Sequence, residues 1–116
     1  MIITQGQLLE GINEYIDSDV LVHTNKMTSV EQFIFGMKIG IFKRSLPKMI
    51  DTHLNTNQMK LLGVVTDEGV DLDIVYNAAL DSIRKTGVVE YGGLRFDESD
   101  VEKLYDILKR RGGTNA

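Results

Sequence analysis

The sequence predicts a mainly α protein of the α+β class: a small helical bundle with a C-terminal β-hairpin followed by a capped helix, in one domain spanning 1–116. Three observations predict it. Apolar residues recur at helical spacing in several separate segments, each opened by a capping residue. One stretch, Val88 to Phe96, alternates around Gly92-Gly93 as a hairpin does. No internal repeat, linker or low-complexity block divides the chain.

The first helix should open at Ile3-Thr4-Gln5-Gly6-Gln7-Leu8. Thr4 is placed as the N-cap, Gln7 completes a capping box, and Ile3 and Leu8 form a hydrophobic staple. Leu8, Leu9, Ile12, Tyr15 and Ile16 then recur on one face until the polar Asp17-Ser18-Asp19. Val20-Leu21-Val22 reads as an isolated strand or an inward-packing loop. Thr28 to Glu31 forms a second capping box, and its helix is expected to reach about Leu46, where Pro47 breaks or kinks it. Ser45 is placed to cap a continuation over Pro47–His53. A short helix is expected through Gln58–Leu62, ending at Gly63.

Val64 to Val70 predicts two very short extended segments around a turn, after which Asp71 caps the next helix. Leu72, Val75, Tyr76, Ala79 and Ile83 make its buried stripe, and Gly87 follows its last turn. In the hairpin, Tyr91 should pair with Leu94, Glu90 with Arg95 and Val89 with Phe96, with the apolar residues on one face. Asp97 caps the last helix with Asp100 at the third position, and Phe96 and Val101 form its staple. Val101, Leu104, Tyr105 and Leu108 form its apolar face, and Lys109-Arg110-Arg111 occupy the end where the helix dipole favours cations.

Composition excludes several chemistries. The chain has no cysteine, so thiolate nucleophiles, disulfides and cysteine-based zinc sites are ruled out. Its longest apolar run, Phe33 to Phe42, carries Lys38 and is about half the ~20 residues a membrane span requires. Met1-Ile2-Ile3 is followed at once by polar residues rather than a secretory signal, and these features together lead to the expectation of a soluble cytoplasmic protein. The net charge of −4 is unevenly spread. Residues 26–60 hold six bases against two acids, while 1–25 hold four acids and no Lys or Arg, and 61–116 hold eleven acids against seven bases. These charges are read as offsetting one another within the fold or between subunits, in preference to an anion-binding patch.

No catalytic, cofactor or metal site is expected. His23 and His53 are isolated from each other and from any H-E-x-x-H pattern, so both are read as ordinary surface residues. The acids between Asp67 and Asp73 fail the EF-hand template, because Val64 and Val75 fall at positions that must supply oxygen ligands. No serine has a nucleophile-elbow context, and Gly92-Gly93 lacks a phosphate-loop pattern. A winged-helix DNA-binding regulator is the alternative, since helix 72–86 and hairpin 88–96 occur in that order. Its recognition helix would present Asp73, Asn77, Asp81 and Arg84, an acidic balance poorly suited to phosphates.

The Phe33–Phe42 segment carries the sharper expectation. Its apolar residues cannot lie on one stripe, so the helix is either central to the bundle or part of an interface. Gly36 and Gly40 add a small-xxx-small spacing. Phe33, Phe35, Gly36, Ile39, Gly40 and Phe42 are the candidate self-association residues of a homodimer, and the function expected is a non-enzymatic interaction or assembly module. The partner expected is a second copy or another protein, with no cofactor and no membrane, and nucleic acid is disfavoured.

From Leu61 to Leu108 the chain also resembles small uncharacterised proteins of prophages and mobile elements of Gram-positive bacteria. The residues that carry this are Leu61-Leu62-Gly63-Val64-Val65, Asp67-Glu68-Gly69, Asp71-Leu72-Asp73, the hairpin, and Phe96 through Tyr105. The resemblance covers less than half the chain and implies a shared fold and a phage or mobile-element setting. It implies no catalytic residue.

Overall fold

The computed structural model describes residues 1–20, 25–91 and 93–113. Among these, β1 (Ile2–Ile3) leads into α1 (Gln5–Tyr15), which is prolonged by a single π-helical turn, Ile16–Val20. Then come α2 (Ser29–Leu54), α3 (Asn57–Leu61), β2 (Val65–Thr66), β3 (Gly69–Asp71), α4 (Leu72–Thr86), β4 (Val89–Tyr91), β5 (Leu94–Phe96) and α5 (Glu98–Gly113). The protein is mainly α with two small antiparallel sheets.

Local signals set most helix starts. Thr4 accepts from the Gln7 amide at 3.0 Å and donates its own amide to the Gln7 side chain at 2.9 Å, so the capping box is complete. Thr28 caps α2 through the Glu31 amide, but Glu31 takes the Thr28 hydroxyl rather than its backbone N–H, which leaves that box half made. Asp71 caps α4 through the amides of Asp73 and Ile74. At α5, Asp97 and Asp100 exchange side-chain-to-backbone bonds at 2.9 Å.

Pro47 does not end α2. The helix runs through it to Leu54, giving up the one bond that a proline N–H would have made, because Leu46 and Ile50 on either side are buried anchors while Pro47 itself faces water. The second correction concerns the sheets. The expected extended segments β2 and β3 are joined by β1, giving the order β1-β3-β2, with Ile3 opposite Val70 and Val65 opposite Val70. Gly69 permits this: its φ is 140°, and a Cβ there would lie 2.3 Å from the Ile3 carbonyl oxygen.

The hairpin has the expected register, Val89 with Phe96, Glu90 with Arg95 and Tyr91 with Leu94. Gly93 takes the positive φ the turn needs, 86°. Its apolar face meets the helices. Tyr91 lies edge-on to Phe42 with centroids 6.3 Å apart, and Phe96 lies 6.4 Å from Tyr15. The core is one cluster that draws Ile3 from β1, Leu8 from α1, Ile16, Val70 and Leu94 from the turn and strands, Leu72 from α4, Leu108 from α5 and Ile39, Phe42, Leu46 and Ile50 from α2. Leu80, outside the expected stripe of α4, is buried, whereas Val75, Tyr76 and Ala79 are half-buried.

Candidate interaction surface

α2 carries two apolar seams on opposite sides. Ile39, Phe42, Leu46 and Ile50 lie on one and face the core. Val30, Ile34, Met37 and Ile41 lie on the other, roughly 160° around the helix at 3.6 residues per turn. With Phe33 on their flank, these five side chains are between 50 % and 69 % exposed. Residues 29–38 are exposed throughout except for half-buried Phe35, so among the described residues the first three turns of α2 are held to the fold mainly on the Phe35 side.

This placement sorts the six residues singled out from sequence. Phe33 is on the free face. Ile39 and Phe42 are 4 % and 1 % exposed and belong to the core, so neither is available to a partner, and Phe35 packs partly against the same core. Gly36 and Gly40 make no close approach to the described residues, since a Cβ on either would meet none of them within 4 Å. Sequence reasoning missed Val30, and it did not separate Ile34, Met37 and Ile41 as one seam. The signal was present in their four-three-four spacing, hidden by the interleaved second seam.

Charges near α2 are partly neutralised inside the fold. Lys43 pairs with Asp17 at 2.5 Å, joining the basic middle to the acidic N-terminal flank. Arg110 and Arg111 of α5 bind Glu14 and Glu10 of α1 at 2.7 to 3.2 Å. Lys38, Arg44 and Lys48 make no ion pair among the described residues, and the Arg44 Nε donates to the Gly40 carbonyl of its own helix.

Two concavities also mark the described surface. A cleft of about 590 Å³ between α2, the hairpin and α5 brings Lys38, Arg95 and Lys103 together with Asp19, Glu90 and Asp100. Its charges balance, Arg95 is already held by Glu90 at 2.8 Å, and Asp100 accepts from the Tyr15 hydroxyl. Burial and that carboxylate push the Tyr15 phenol well above its usual range, and the bond ties α1 to α5. The second, a shallow depression along Glu10, Glu14 and Asp17, holds the ion pairs just described.

His53 is exposed at the end of α2, with Nδ1 3.4 Å from the Tyr91 hydroxyl and the two rings edge-on. It lines neither concavity. His23 lies outside the described residues. On α4, Asp73 accepts from the Met1 ammonium at 2.6 Å and the Tyr105 hydroxyl at 2.5 Å. These partners, the ammonium first, hold its carboxyl below the usual carboxylate range. Among the described residues no cluster of His, Asp or Glu has the arrangement of a metal site, and no helix is long and apolar enough to cross a membrane. Comparison with family models, with curated proteins and with solved structures finds no match to this chain.

Proposed function

We propose that this protein is a non-enzymatic interaction module whose working surface is the outer face of α2. One observation carries the reading: a seam of Val30, Ile34, Met37 and Ile41, flanked by Phe33, on a helical segment that its own fold leaves exposed. Exposed alone, such a helix gains little, since helical segments in proteins draw most of their stability from burying an apolar face. Its five side chains offer roughly 500 Å² of contiguous apolar surface, at the upper end of what monomeric proteins tolerate and the usual mark of a docking site. The phage or mobile-element setting we attach to it rests on the resemblance of residues 61–108 alone. The winged-helix alternative draws no support from the geometry, because Asp73 leads the helix that would enter the groove and the hairpin's Arg95 is paired.

The test is the double substitution Ile34→Glu with Met37→Glu. The parent is expected to bind an apolar surface dye or to associate at high micromolar concentration. The variant should do neither, while keeping the parent's circular dichroism and melting midpoint at low micromolar concentration. A variant that melts far below its parent there would show these side chains to be packed within the fold, and the reading would fall. It falls equally if the parent neither binds dye nor associates.

A further inference from the structure

We infer that the outer face of α2 takes a second copy of this chain, packed antiparallel, helix against helix, in one register. The inference rests on the reading above and adds to it the partner and the orientation. Val30, Ile34, Met37 and Ile41 follow at steps of four, three and four, the spacing of a coiled-coil seam, and the same steps continue into Arg44 and Lys48. In a parallel pair each seam residue meets its own copy, so Arg44 would oppose Arg44 and Lys48 would oppose Lys48. In an antiparallel pair with Val30 across from Ile41 and Ile34 across from Met37, every apolar layer overlaps and both cations fall beyond the ends of the contact.

That register also pairs the flanks. Glu31 comes opposite Lys38 on one side of the seam, and each is exposed, Lys38 without an ion pair among the described residues of its own chain. Phe33 comes opposite Gly40 on the other side, where open space stands in place of a side chain and leaves room for the ring. Apolar overlap, charge and shape thus select the same alignment independently. Two such faces with their polar margins bury on the order of 1,200 Å², the lower bound of stable specific interfaces.

The absence of native cysteine makes the orientation readable by disulfide trapping. Antiparallel packing sets residue 30 against residue 41 of the other copy and holds the two copies of residue 30 about 16 Å apart along the helix. A mixture of Val30→Cys and Ile41→Cys chains should therefore give the mixed disulfide under mild oxidation, and neither chain alone should cross-link. Glu31→Lys should raise the dimer dissociation constant several-fold, and adding Lys38→Glu in the same chain should restore it. Ready cross-linking of Val30→Cys alone would overturn the antiparallel arrangement while leaving the interaction reading intact. A parent that binds dye yet remains strictly monomeric by light scattering would overturn the second copy as partner, again without touching the reading. A dimer indifferent to Ile34→Glu would place the contact elsewhere and sink both.

Discussion

Gly11 has no side chain where α1 crosses α5, and the crossing depends on it. A Cβ at this position would lie 2.2 Å from Cδ2 of Leu108, a core residue only 3 % exposed and so unable to swing aside. Alanine improves helix propensity by up to about 1 kcal/mol, but overpacking a tight core costs about 1–3 kcal/mol. Gly11→Ala is therefore expected to lower the denaturant midpoint despite being a better helix former, and an unchanged midpoint would show that the two helices can part without cost. Tyr105 offers a spectroscopic check on the α4–α5 contact. Its hydroxyl donates to Asp73, which pushes the phenol up to about 12. A folded value raised in this way stabilises the protein fully below the ordinary phenol range and is lost as pH rises through about 12. In an alkaline absorbance titration, Asp73→Ala should bring one tyrosine back toward its ordinary range.

α2 shows where element-level reading succeeds and where it stops. Its start was legible because Thr28 and Glu31 interact within one turn, and the hairpin register was legible because Glu90, Arg95 and the flanking apolar residues alternate around the glycines. The passage through Pro47 was not, since it depends on Leu46 and Ile50 being held by residues far away in the chain. β1 escaped notice for a similar reason: two residues carry no alternation, and its partner β3 lies almost seventy residues on. The two seams of α2 were legible only as an excess of apolar residues, because separating them requires knowing which side the core occupies. Pro47 is exposed in the interior of a continuous helix, so Pro47→Ala is expected to stabilise the protein by about 1–3 kcal/mol through the restored bond and propensity. A lowered melting midpoint would show that the helix needs the proline.

At the scale of the whole molecule, stability is tied to carboxylates that cap a helix, as Asp97 does, or join separate elements, as Asp73 does. Asp97 is kept below its usual range by the Asp100 amide, and Asp73 by the Met1 ammonium and then Tyr105. For groups lowered in this way the stabilisation is present above their unfolded value of 3.8 and is lost as pH falls through the folded value. Denaturant midpoints should thus decline between pH 5 and the low acid range, to within about 1 pH unit of the ordinary carboxylate values. Asp73→Asn should flatten part of that decline, and a curve identical to the parent's would remove Asp73 from the account.

The pairing of α1 with α5 has a kinetic consequence. The first helix of the described chain finds its main helical partner in the last, through the Gly11 and Leu108 contact and the bonds from Arg110 and Arg111 to Glu14 and Glu10. Until α5 has left the ribosome, Leu8 and Ile16 have an incomplete core to enter, and β1 waits likewise for β3. Bringing such distant segments together costs about 4 kcal/mol of closure entropy before packing repays it. Folding of this unit should accordingly be an all-or-none event that waits for α5, in which no fragment lacking α5 holds its structure and α1 and α5 lock the rest between them.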